Sequence, residues 1–168
     1  GRRPGRVIKK LSEDKLRQLR VAFLQETVRQ QKAQAIMTAH HGNDLAETVL
    51  MRILRSTGLS GLRGMSVISK WGDVQVLRPL LKFSRQDLQD YVKQQRIPYH
   101  HDESNDDVAY LRNQVRQELI PFIEKKYEKQ ITAHLIALAM TASMDYDYME
   151  SQTKLLMKKH VHTKAGAV

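Results

Sequence analysis

The chain of 168 residues has no cysteine. That excludes disulfides and thiol chemistry, and it fits a reducing, cytoplasmic setting. No run of ~18 apolar residues occurs, so no membrane-spanning helix and no membrane partner are expected. The basic N-terminal segment Gly1-Arg2-Arg3-Pro4-Gly5-Arg6 is followed by no apolar stretch, so a secretory signal is not expected either. Aromatic residues are scarce, with one Trp, six Tyr and three Phe, and an extended base-stacking platform is not indicated. Acidic residues are outnumbered 18 to 28 by Lys and Arg, a net charge of +10. Such an excess suits a polyanionic partner held through its phosphate backbone, or a basic surface that only keeps the protein soluble. The cations gather in the N-terminal segment, around Arg52, Arg55 and Arg63, and in the C-terminal half from Arg112 onward.

The densest chemistry lies in Thr38–Thr48, where the apolar run Ala35-Ile36-Met37 stops at His40-His41-Gly42 and an amphipathic helix begins. Ala46, Val49, Leu50, Ile53 and Leu54 recur at the spacing of a core-facing stripe. Asn43 reads as the N-cap, with Asp44 in the first turn, where the helix dipole favours an anion. Asp44 and Glu47 are one turn apart and share a face. Two carboxylates and two histidines at a strand-to-helix turn suit a site that handles a cation, a metal-bound nucleotide or a proton. The same residues also fit a structural reading. Asp44 then caps the helix, Glu47 pairs with Arg52 or Arg55, and the histidines end a strand. Adjacent strand side chains face opposite ways, so a zinc site built on both histidines is not expected.

Elsewhere the pattern predicts a helix over 12–31 capped by Ser12, a strand over 35–39 and a helix over 44–55: a slice of an alternating α/β domain. Gly58, Gly61 and Gly64 punctuate a loop where a backbone could approach a ligand, although no Gly-Lys-Ser/Thr follows. Strands near 66–69 and 74–77 with the turn Lys70-Trp71-Gly72-Asp73 read as a hairpin, which Arg78-Pro79 ends. Ser84 and Asp87 form a capping-box pattern opening a helix to about Gln95, with Leu88, Tyr91 and Val92 facing the core. The stretch from His100 to Asp107 is too polar for an element interior and reads as a loop. A helix then begins near Tyr110, with Arg112 and Arg116 on one face, placed for an ion-pair network or for bidentate phosphate binding. Residues 131–160 read as a helix with the stripe Ile131, Leu135, Leu138, Ala142 and Tyr146, and with Met144, Met149 and Met157 as packing residues. The tail from Thr163 is expected to be loose.

Several blocks in series resemble the tRNA(Ile)-lysidine synthases of the PP-loop ATP pyrophosphatase superfamily. They are Thr38–Thr48, Arg55–Leu62, Arg78-Pro79-Leu80-Leu81, Asp102-Glu103-Ser104-Asn105 and Arg112–Arg116. The resemblance runs from about Glu13 to Lys159. It implies an α/β fold, an incomplete Rossmann-like parallel sheet with a C-terminal helical segment. Residues 1–119 would be a partial PP-loop catalytic domain and 120–168 a helical linker or appendage. It also implies ATP and magnesium as cofactors, with tRNA(Ile) bearing the CAU anticodon and free L-lysine as partners. The reaction would adenylate C2 of the wobble cytidine, after which the lysine amine displaces AMP. His41, Asp44 and Glu47 would be catalytic, while Arg78, Arg112, Asn113 and Arg116 would hold ATP or tRNA phosphate, and no residue is assigned to metal. The family's Ser-Gly-Gly-x-Asp-Ser loop has no counterpart, since the chain holds no Gly-Gly pair. The resemblance therefore implies a fragment that is inactive alone, with an open sheet edge where a second copy could pair into a homodimer. The alternatives are a non-catalytic basic tRNA-binding module and another PP-loop tRNA-modifying enzyme. A thiolase among the latter is disfavoured by the absence of cysteine.

Overall fold

The computed structural model describes residues 13–100 and 110–160. The expected Ser12 cap, most of the polar loop and the loose tail lie outside them. The chain forms two compact units, one from the residues up to Thr38 with Ile68–Arg78, the other from Ala39–Val67 with the residues from Pro79 onward.

The first unit joins helix α1 (Glu13–Gln31) to a three-stranded sheet of β1 (Ala35–Met37), β2 (Ile68–Trp71) and β3 (Val74–Leu77). Strand order is β1-β3-β2. β1 runs parallel to β3, with Ile36 opposite Val76, and β2 runs antiparallel to β3, with Trp71 opposite Val74. The α/β class holds, but the sheet is mixed rather than wholly parallel. β3 takes one neighbour from a long crossover, which permits parallel pairing, and the other from a two-residue hairpin, which imposes antiparallel pairing. Gly72 opens that turn at φ +61°, a conformation glycine adopts without a Cβ penalty. Ile36, Val74 and Val76 form the buried core, against which Leu24 and Val28 of α1 and the ring of Trp71 pack.

The second unit is helical and is built on α2 (Gly42–Leu54). Its other elements are α3 (Leu59–Leu62), a 3₁₀ turn (Pro79–Lys82), α4 (Arg85–Gln94), α5 (Leu111–Gln114), a π-helical turn (Val115–Leu119), α6 (Ile120–Lys126) and α7 (Ile131–His160). Leu45, Ala46, Val49 and Leu50 of α2 are buried against Leu81, Val115, Ile120, Leu135 and Ala139. Fully burying a valine or leucine side chain is worth roughly 1.5–3 kcal/mol, so this stripe rather than helix propensity fixes α2. The same packing sorts the expected stripes. Ala139 is buried on α7, whereas Leu138 is exposed, as are Met144, Met149 and Met157. Small alanines let α2 and α7 approach, and the long side chains turn outward. Tyr91, expected in the core, is also exposed, while Leu88 and Val92 are half-buried. No described helix is long and apolar enough to cross a membrane.

Candidate functional site

The second unit places its densest charge at the start of α2. The cap is His41, not Asn43: the His41 N–H donates to Asp44 Oδ2 at 2.9 Å, and the Leu45 N–H returns to the His41 carbonyl. Asp44 is thus the third helical residue, the position from which an acid reaches back to the cap. Asn43 is used differently, its Oδ1 accepting the Arg85 N–H at the head of α4. The Gly42 N–H donates to the Phe83 carbonyl at 2.8 Å, which ties this end of α2 to the turn before α4.

Asp44 is 8% exposed and Glu47 2%, and two arginines meet them. Arg112 donates from Nε to Glu47 Oε2 and from Nη2 to Asp44 Oδ1, both at 2.8 Å. Arg116 donates from Nε to Glu47 Oε1 at 2.6 Å, and from Nη2 to Glu47 Oε2 at 3.0 Å and Asp44 Oδ1 at 3.1 Å. Two charges face two opposite charges in a partly dehydrated setting, where such bonds are short and strong. Glu47 raises Arg116 above the ordinary guanidinium value, through a hydrogen bond first and its charge second, against the pull of burial. Both arginines spend Nε and Nη2 on the carboxylates, and the two side chains remain 28% and 25% exposed.

His41 stands beside this quartet, with Nε2 3.5 Å from Asp44 Oδ2. Its Nδ1 is buried and has no hydrogen-bond partner among the described residues. Burial lowers the imidazole pKa and outweighs the opposing charges of Asp44 and Glu47, while Arg116 and Arg85 push the same way as burial. His41 is therefore neutral at neutral pH and keeps one ring nitrogen uncommitted within the described structure. Of the histidine pair, it is His41 that contacts Asp44.

The quartet unites Asp44, Glu47, Arg112 and Arg116 from both ends of the unit, with Asn113 buried on the same α5 segment. The short-range alternative for Glu47 fails: Arg52 instead donates from Nη1 to the carbonyls of Gly61 and Gly64, at 2.7 and 3.0 Å. Those carbonyls point at a guanidinium, and Gly64, at φ +61°, packs beside Leu45. The glycine loop is thereby committed to packing. Arg63, counted among the surface cations, binds Asp147 at 2.6 Å and lies 4.5 Å from the centre of the Tyr146 ring. Arg78 belongs to the sheet-bearing unit, where it is 5% exposed and donates to Ser69 Oγ at 2.8 Å. Sequence reasoning overlooked Arg85 and Ser69, polar residues whose use depends on contacts distant in sequence.

All four oxygens of Asp44 and Glu47 already accept at least one N–H. Magnesium needs near-octahedral oxygen ligands, and these carboxylates do not fit that requirement in this arrangement. Among the described residues no group of three or more acidic, histidine or cysteine side chains could hold a metal.

A PP-loop domain family matches residues 6–123. The tRNA(Ile)-lysidine synthase of Chlamydia pneumoniae is 39% identical over 150 residues, covering 89% of this chain and 47% of that protein. The enzyme of the same name from Clostridium acetobutylicum is 35% identical, covering 87% of this chain and 31% of its own length. This chain thus spans 31% to 47% of the length of these relatives. Among solved structures, the U34-tRNA thiolase NcsA from Methanococcus maripaludis, with its [4Fe-4S] cluster, has the same fold at a TM-score of 0.54. Identity there is 15%, over 80% of this chain and 46% of the thiolase.

Proposed function

The chain belongs to the PP-loop domain family, and from that premise we propose that it is catalytic-domain sequence of a tRNA(Ile)-lysidine synthase. The reaction is ATP-dependent joining of lysine to C2 of the wobble cytidine in tRNA(Ile) with the CAU anticodon. In the first step the cytidine is adenylated and pyrophosphate leaves. In the second the lysine amine attacks C2 and AMP leaves. The quartet of Asp44, Glu47, Arg112 and Arg116 is the observation that carries this reading, alongside the names of the relatives.

The quartet acts as an exchange point. A phosphate arriving from ATP or tRNA competes with Asp44 and Glu47 for the N–H groups of Arg112 and Arg116. Guanidinium binds phosphate and carboxylate with the same fork. Carboxylate oxygens released in that exchange accept from the lysine ammonium, and neutral His41 takes a proton from the amine. Asn113 assists phosphate binding beside the arginines of its own unit, and Arg78 contributes to phosphate binding within the sheet-bearing unit. Magnesium comes with ATP, and the described residues offer no ligand set for it.

A second reading is a tRNA-binding module without catalysis. It is supported by the net charge of +10 and by carboxylates whose oxygens are already engaged. The deciding experiment measures ATP-dependent incorporation of labelled lysine into a tRNA(Ile) transcript with the CAU anticodon. It compares this chain with a longer form that carries a Ser-Gly-Gly-x-Asp-Ser loop upstream. Incorporation by the longer form, abolished by Asp44→Ala, is the expected result. Salt-sensitive tRNA binding without incorporation by either form favours the second reading.

A further inference from the structure

The sheet-bearing unit has a groove of its own, of about 430 Å³, between α1 and the β2–β3 turn. Arg17, Gln18 and Gln25 line one side, and Trp71 and Gly72 the other. Such a volume is within the usual range for small ligand sites. The Gln25 amide donates to the Trp71 carbonyl at 2.8 Å, fixing the turn against the helix. A Cβ at position 72 would lie 3.3 Å from that amide nitrogen, so glycine keeps the contact unstrained.

Positive charge collects on the same face. Ser69 and Trp71 are two residues apart on β2 and project to one side of the sheet. Arg78 donates to Ser69 Oγ, which places its guanidinium on that side as well. Burial lowers Arg78 from its ordinary value, and the nearby charge of Arg17 adds to the effect. Arg17 is exposed and meets no carboxylate among the described residues. An exposed guanidinium with no carboxylate beside it is a ready contact for a phosphate. A half-buried indole and two amides next to this charge offer a π-face and hydrogen-bonding groups.

We propose that this groove is a subsite for one nucleotide of an RNA strand, with its phosphate on Arg17 and its base against the Trp71 ring. The choice of an RNA strand over a free mononucleotide rests on the tRNA reading given above. The charge and the aromatic face do not depend on that reading.

Trp71 is the chain's one tryptophan, so its emission reports directly on the groove. The chain is titrated with a short single-stranded oligoribonucleotide and, separately, with AMP. Saturable quenching by the oligonucleotide is expected, with weak or no response to AMP at the same nucleotide concentration. Arg17→Ala should weaken oligonucleotide binding several-fold and reduce its logarithmic salt slope by about 0.7, one single-strand phosphate's share. Equal quenching by AMP would keep a nucleotide subsite but overturn the assignment to a strand. Unchanged emission with both probes, or an Arg17→Ala variant that binds like the parent, overturns the proposal. If lysidine forms while the emission ignores RNA, the groove alone fails. If the emission responds and no lysidine forms, the groove stands and the proposed reaction fails.

Discussion

Glu47 is a 2% exposed carboxylate that holds two guanidinium groups. Removing one member of a buried charge set leaves the others uncompensated, at a cost of roughly 3–5 kcal/mol. Glu47→Ala should therefore destabilise the folded chain by about 3 kcal/mol, near the lower end because both arginines keep some solvent contact. Urea unfolding measures this as a lower midpoint at unchanged slope. His41 supplies a pH dependence with a definite sign. Its folded pKa is below the ordinary imidazole value of about 6.5, so the unfolded chain binds the proton more readily. Stability contributed by neutral His41 is complete above about pH 6.5 and declines as the pH falls through that value toward the folded pKa. The unfolding midpoint should thus drop between pH 7.5 and pH 5.5, and His41→Gln should flatten that part of the profile. An unchanged profile in the variant would assign the acid sensitivity to other groups.

At the scale of elements, Gly64 joins backbone conformation to core packing. Its φ is +61°, and an added Cβ would fall 2.4 Å from Leu45 Cδ1, inside the stripe that fixes α2. Gly64→Ala should cost about 1–3 kcal/mol from left-handed strain and displaced core side chains. Thermal melting tests this, and a loss below half a kcal/mol would mean that Leu45 yields freely. The elements were legible wherever the signal was local. α2 follows from apolar spacing, although Ile53 and Leu54 of the expected stripe are exposed. The hairpin follows from Lys70-Trp71-Gly72-Asp73, although β2 runs on to Trp71 and leaves Gly72-Asp73 as the turn. α4 follows from Ser84 and Asp87, whose capping box is present. Signals depending on distant partners were not legible. Nothing near Asn43 in sequence shows that its oxygen is claimed by Arg85, which leaves the cap to His41. Leu138 and Ala139 are adjacent on one helix, and the close approach of α2, rather than hydrophobicity, buries the smaller. The mixed sheet depends on which strand sits between the other two, a fact of pairing that period-two patterns do not encode. The members of the quartet were named from sequence, but their union was not, because 65 to 72 positions separate the partners.

For the molecule as a whole, a net charge of +10 on 168 residues makes binding to any nucleic acid depend on ionic strength. Filter binding of tRNA across salt concentrations should give a logarithmic slope of several units, decreasing as surface lysines are replaced. A flat salt response would count against both the enzyme and the binding-module readings. The two compact units add a consequence for spectroscopy. The lone indole resides with the sheet, whereas α2 through α7, which hold most of the helical residues, reside in the other unit. Emission on heating therefore follows one unit, and ellipticity at 222 nm mainly follows its neighbour. Superimposed curves would establish a single cooperative transition, and separated curves would give each unit a melting temperature of its own.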